Sequence, residues 1–157
     1  MSLGLYADGH IIFGVVYNPY NQECYHAYRG KGAYLGKKRL HVSNRTLNES
    51  IIEVGVASTH KEWVDETFTR IRNIFLHCVD IRRICSSALD LCYMADGRID
   101  GYVEPRLKPW DIAAGSLILE EAGGAITDYQ GNPIHFEGNT SVCASNGTFH
   151  KQLLDLL

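Results

Sequence analysis

The hydrophobic pattern of this chain changes period once, near residue 51. Before that point, apolar residues fall in short runs rich in β-branched and aromatic side chains, broken by Gly, Pro and Asn. Runs of that kind read as strands joined by turns. After it, strand-like runs alternate with stretches in which apolar residues recur every three or four positions, the spacing of one helix face. The pattern predicts a β-only part over residues 1–50 and an α/β part over residues 51–157.

Asp8-Gly9 predicts a hairpin turn ahead of the strand Ile11–Tyr17, which Asn18-Pro19 ends. Glu23–Tyr28 reads as a second strand. Arg29-Gly30-Lys31-Gly32 turns into Ala33–Leu35, and Arg39–Val42 reads as a short further strand. Later strands are predicted at Ile51–Ala57, Cys78–Arg82, Arg98–Glu104, Ala125–Tyr129 and Ser141–Ser145. His60–Leu76 carries Trp63, Val64, Phe68, Ile71 and Phe75 on one helical stripe. Ile84–Ala95 and Asp111–Ala122 read as two more helices, the latter stopped by Gly123-Gly124. A last helix starts near Thr148.

Composition narrows the function classes. A chain of 157 residues buries about two thirds of its unfolded surface and needs no staples. A net charge of −3 carries no basic excess of the kind direct nucleic-acid binding uses. The longest apolar stretch, near Ile11–Tyr17, is far short of the ~20 residues that span a bilayer, so no membrane partner is expected. Met1–Leu5 has neither the positive region nor the apolar core of a signal peptide. Five cysteines without a CxxC pair point to reduced thiols in a cytoplasmic protein rather than to disulfides or zinc. Gly30-Lys31-Gly32 lacks the spacing of a phosphate loop, and Gly-x-Ser-x-Gly is absent.

The chemistry concentrates in Glu104-Pro105-Arg106-Leu107-Lys108-Pro109-Trp110-Asp111-Ile112-Ala113-Ala114-Gly115. This reads as a strand ending in a carboxylate, a Pro-bracketed loop, and a helix opening at Asp111. An aspartate there can simply cap the helix and offset its positive end. The small residues Ala113-Ala114-Gly115 let that helix start approach neighbouring backbone closely. Glu104 and Asp111 then offer two oxygen donors to one cleft, suited to a hard cation such as Mg²⁺ and a polar substrate.

Trp110–Gly115, running on to Glu120-Glu121-Ala122-Gly123-Gly124, resembles the C-terminal signature of the inositol monophosphatase family. Arg82-Arg83-Ile84-Cys85-Ser86-Ser87-Ala88-Leu89-Asp90-Leu91 resembles that family's Arg-x-x-Gly-Ser-Ala-Ala-x-(Asp/Asn)-Leu segment. Phe13–Pro19 and Gly30–Tyr34 are similar to its central hairpins. The resemblance implies an α/β fold, a layered αβαβα sandwich, with residues 1–50 as the remnant of the first, antiparallel sheet. It implies Mg²⁺-dependent hydrolysis of inositol 1-phosphate or a related small phosphorylated polyol or sugar, by a homo-oligomer. It casts Asp111 as a metal ligand, Glu104 as an acceptor for substrate hydroxyls, and Cys85, Ser86 and Ser87 as the lining of the substrate ring. Cys85 stands where the family has Gly, and Asp90 is expected to support its helix.

The family's N-terminal metal-binding glutamate and its Asp-Pro-(Ile/Leu)-Asp-Gly-Thr motif do not occur. No catalytic, water-activating residue is therefore expected in this chain. The chain resembles the C-terminal two thirds of the enzyme, without roughly ninety N-terminal residues by family proportions. Two alternatives stay open. One is a non-catalytic interaction or regulatory module, since bacterial members of the family partner the transcription machinery. The other is a relative that acts on fructose 1,6-bisphosphate or on a nucleotide 3′-phosphate.

Overall fold

A computed structural model describes residues 1–157 as ten strands, four α-helices and two 3₁₀ turns. β1 (Ser2–Ala7), β2 (His10–Asn18), β3 (Glu23–Tyr28), β4 (Ala33–Leu35) and β5 (Lys38–Arg39) form one antiparallel sheet in chain order. Asp8 and Gly9 both hold positive φ, at 51° and 82°, as the tight turn between β1 and β2 requires. The turn at Gly30 and Gly32 is tied down differently. Its backbone N–H groups donate to the two carboxylate oxygens of Glu121, at 2.6 and 2.7 Å.

The second part alternates: β6 (Ile51–Val54), α1 (Val64–Phe75), β7 (Asp80–Arg82), α2 (Ser87–Ala95), β8 (Gly101–Leu107), α3 (Pro109–Glu121), β9 (Ala125–Thr127), β10 (Thr140–Ser145) and α4 (His150–Leu154). Its sheet runs β7-β6-β8-β10-β9. β6 lies parallel to β7 and β8, and β10 is antiparallel to both its neighbours.

Four layers stack. Ala114, Leu117 and Ile118 of α3 pack with Ile11, Val16 and Tyr25 of the first sheet. Ile112 and Leu119 of the same helix pack with Tyr102, Val142 and Ala144 of the second. α3 is thus buried on both sides, which explains its nearly continuous apolar sequence. Ile74 of α1, Phe149 at the start of α4 and Leu153 within it cover the outer face of the second sheet against Ile52, Val103 and Cys143. The outer face of the first sheet carries no helix from these residues. Of the five αβαβα layers, the 157 residues build four.

Small residues set the spacing around α3. A Cβ on Gly14 would sit 2.7 Å from the Ala114 carbonyl oxygen, and one on Gly4 would sit 3.0 Å from the Ala113 Cβ. The close approach expected of Ala113-Ala114-Gly115 is therefore an approach to β1 and β2.

Several element boundaries differ from the sequence reading. Strand β8 does not stop at Glu104 but continues through Pro105 to Leu107. β6 pairs only with its Gly101–Val103 end. The ladder with β10 is irregular between Thr140 and Val142, opposite Pro105, and such an irregularity tolerates a residue that cannot donate. α3 starts at Pro109 rather than Asp111, since proline is preset for the first helical position. α2 starts at Ser87 rather than Ile84. The Ile84 N–H is already given to Glu53 Oε2 at 3.0 Å, and Cys85 has φ of 70°. The strand expected at Arg39–Val42 shrinks to Lys38–Arg39. Leu40 turns into the core, and the Val42 N–H donates to the Ala122 carbonyl at the end of α3.

Candidate functional site

β6, the loop entering α2, and β8 converge on one cavity of about 240 Å³. Its wall includes Cys85, Ser87 and Asp90 from the head of α2, and Tyr102, Glu104 and Arg106 from β8. The segment Val54–Thr59, after β6, closes the opposite side. Ligand sites sit where strands end in this manner because the loops there are free of ladder hydrogen bonds.

Glu104 is the fixed point. Its Oε1 accepts from the Ala57 N–H at 2.8 Å. Its Oε2 lies 3.4 Å from the Tyr102 hydroxyl, which in turn lies 2.9 Å from Ser87 Oγ. A tyrosine has one hydroxyl proton, so when Tyr102 donates to Glu104, Ser87 donates to Tyr102. Burial, above all, and the nearby Asp111 charge push the Glu104 carboxyl up; the Ala57 N–H, Tyr102 and Arg83 pull it down without cancelling the rise. Burial also pushes the Tyr102 phenol well up, so it stays a donor at any ordinary pH.

Behind Ser87 lie two buried carboxyls. Asp90 is 2% exposed and Glu53 1%. Asp90 Oδ1 and Glu53 Oε1 have no hydrogen-bond partner. Burial first, then the Glu53 charge, raises the Asp90 carboxyl to about 7. Burial likewise raises Glu53, although the Ile84 N–H opposes it.

Asp111 lines a second, adjoining cavity with Ala57, Thr59, His60, Arg106, Lys108 and Asn139. Ala57, Thr59, Arg106 and Leu107 belong to both cavities. Asp111 stands at the third position of α3, where its Oδ2 accepts from the Lys108 N–H at 3.1 Å. It therefore caps the helix through Oδ2, and Oδ1 takes no hydrogen bond. Trp110 beside it is 68% exposed, with Lys108 over its ring.

Of the five residues that sequence marks, Cys85, Ser87 and Glu104 share one cavity and Asp111 lines the next. Ser86 is not with them: it faces a separate cavity lined by Met1, Ser2 and Val16 at the first sheet. Tyr102, Arg83, Arg106 and Gly55 belong to the wall and carry no local motif that would mark them. The alternation of β8 is the one available signal, since Tyr102, Glu104 and Arg106 fall two apart and share a strand face.

The profile of the inositol monophosphatase family matches residues 1–157. The chain belongs to the inositol monophosphatase family. It is 39% identical over 146 residues to "Nus factor SuhB" of Pasteurella multocida, covering 92% of this chain and 55% of that protein. It is 35% identical to "Inositol-1-monophosphatase" of Bacillus subtilis, covering 99% of this chain and 58% of that one. The solved inositol monophosphatase of Anabaena superposes with a TM-score of 0.92 at 34% identity, covering 99% of this chain and 62% of that chain. The inositol monophosphatase-like α/β fold expected from the motifs is thus the fold observed. The chain spans little more than half the length of the curated relatives it matches.

These residues do not make an Mg²⁺ site by themselves. No three His, Cys, Asp or Glu side chains are grouped so as to hold a metal ion, Glu104 is engaged at both oxygens, and one oxygen of Asp111 is already given to the Lys108 N–H. The two adjoining cavities make a polar pocket with a single capping carboxylate, Asp111, at its side.

Proposed function

We propose that the chain supplies the substrate-holding part of an Mg²⁺-dependent phosphomonoesterase acting on inositol 1-phosphate or a related polyol or sugar phosphate. The observation that carries this reading is the Ser87–Tyr102–Glu104 relay, set beside a cavity that holds Asp111. A cyclic polyol presents several adjacent hydroxyls, each a donor and an acceptor. The Glu104 carboxylate accepts from one of them, the Ser87 hydroxyl pairs with a second, and the Ala57 N–H keeps Glu104 aimed. Asp111 Oδ1 would be one ligand of a divalent ion, which when bound would supply Lewis-acid polarisation of the phosphoryl group and an activated water. The other carboxylates for such an ion are not among these 157 residues, so turnover by this chain alone stays near background. The family assignment supports the reaction class; the substrate and the metal belong to this reading.

The test is binding rather than turnover. Calorimetry with inositol 1-phosphate and Mg²⁺ gives saturable binding, and Glu104→Gln and Asp111→Asn each weaken it by about tenfold, the scale of one charge-assisted hydrogen bond. Absence of binding, or family-like hydrolysis by the isolated chain that survives Asp111→Asn, overturns it. A second reading, a non-catalytic interaction module, draws on the similarity to a protein named a Nus factor. It stands if no polyol phosphate binds with or without Mg²⁺.

A further inference from the structure

The cavity contains two guanidinium groups that the relay of Ser87, Tyr102 and Glu104 does not use. Arg83 and Arg106 are exposed and line it from opposite elements, the loop before α2 and strand β8. Neither forms an ion pair, whereas the adjacent Arg82 is tied to Asp80. Arg83 makes no hydrogen bond, so its five N–H donors are free. Arg106 is oriented by its surroundings. With the Asn139 amide turned to satisfy its neighbours, the amide oxygen accepts from Arg106 Nε and Nη2 at 3.1 and 2.7 Å. Its guanidinium carbon stands 5.9 Å from the Trp63 ring centre. A neutral amide and an aromatic ring fix the head group without neutralising it, leaving its remaining donors for an anion. Arg106 also lines both cavities, so it stands between the polyol-binding wall and the Asp111 side.

A monophosphorylated polyol bound with its phosphoryl group toward Asp111 leaves one of these cations idle. Two guanidinium groups on a cavity of about 240 Å³ match a ligand of sugar size with negative charge at two places. We propose that Arg83 and Arg106 recognise a second anionic group, so that the preferred ligand is a polyol or sugar phosphate bearing a further phosphate or carboxylate. This inference rests on the phosphatase reading of the site.

Three probes on one ring separate the outcomes: glucose 1-phosphate, glucose 1,6-bisphosphate and glucuronic acid 1-phosphate, titrated into the full chain with Mg²⁺. The bisphosphate binds at least about tenfold more tightly than glucose 1-phosphate, the gain of one charge-assisted contact. A gain with the uronic acid as well assigns the pair to anions in general; a gain with the bisphosphate alone assigns it to phosphate. Arg83→Gln and Arg106→Gln each remove most of the gain, read as the ratio of bisphosphate to glucose 1-phosphate affinity within the same variant, and the double variant abolishes it. Arg72→Gln, an exposed cation on α1, leaves the gain intact and so excludes a mere effect of net charge. Equal affinity for the mono- and bisphosphate, or a gain that survives the double variant, overturns the inference and leaves the phosphatase reading standing. Binding of none of the three probes overturns the inference, and the phosphatase reading falls with it when inositol 1-phosphate is also unbound.

Discussion

Gly55 leaves open the space that the Glu104 carboxylate fills: a Cβ built on it would lie 1.3 Å from Glu104 Oε2 and 2.0 Å from the carboxyl carbon. Glycine at this point is the reason a carboxylate from β8 can reach back to the Ala57 N–H. Gly55→Ala forces Glu104 out of its place. Overpacking of this kind costs about 1–3 kcal/mol, and polyol phosphate binding falls with the displaced acceptor. Glu104→Ala in the same chain removes the clash, so the double variant is less destabilised than the two single costs together. Urea denaturation of the four proteins measures this coupling; strict additivity would show that the contact carries no strain.

The buried carboxyl of Asp90 makes stability depend on pH in a defined direction. Its folded value, about 7, lies above the ordinary aspartate value of 3.8. A group raised on folding stabilises fully below its unfolded value, and that contribution is lost as pH climbs through the folded one. Stability therefore declines between about pH 4 and 7, with a slope of up to ~1.4 kcal/mol per pH unit for one proton. Asp90→Asn flattens this slope and is the more stable protein at pH 8. Glu53, raised in the same direction by burial, adds a decline of the same sign that Glu53→Gln removes. Urea midpoints recorded from pH 4 to 8 decide it; a wild-type curve that rises across this window contradicts the assignment.

Much of the architecture was legible from period alone, because strands in one face-exposed sheet alternate and helices on a sheet repeat at 3.6. The exceptions have local causes. Pro105 suggested a strand end, yet it lies beyond the reach of β6 and opposite an irregularity in β10. The loop into α2 looked helical, yet Glu53, thirty-one residues upstream, takes the Ile84 N–H. Of the residues that type and spacing single out, Glu104, Cys85 and Ser87 line one cavity and Asp111 the next. Ser86 shows the limit: adjacent side chains at a helix start diverge, and Ser86 faces the first sheet while Cys85 and Ser87 face the cavity. Gly55 and Arg106 matter through tertiary proximity, which no local pattern encodes.

Cys85 holds φ of 70° at the cavity mouth. A side chain in this left-handed region costs about 1–2 kcal/mol, and glycine gives back part of the gain through its looser unfolded state. Cys85→Gly therefore stabilises the chain by about 1 kcal/mol, a rise of roughly 2–4 °C in Tm at this size, and widens the mouth of the cavity. Cys85→Val moves Tm the other way, since a β-branched residue fits this conformation worst. Thermal scans of the two variants read the sign directly; equal shifts would place the constraint elsewhere in the loop.

The first sheet offers one face to α3 and leaves the other open. Gly4 pairs with Gly14 on the α3 side, while Leu3 pairs with Val15 and Leu5 with Phe13 on the opposite side. Phe13 in turn pairs with Tyr28. Leu3, Leu5 and Tyr28 are 54%, 51% and 56% exposed, and β1 is an edge strand with a free row of backbone groups. A contiguous apolar face beside an open edge favours association. The isolated chain accordingly sediments as concentration-dependent oligomers rather than a single monomeric species. Leu3→Lys with Leu5→Lys shifts it toward monomer without loss of fold, because both side chains already point away from the core. A sharp monomer boundary for the unaltered chain at all concentrations would show that this face is stable in water as it stands.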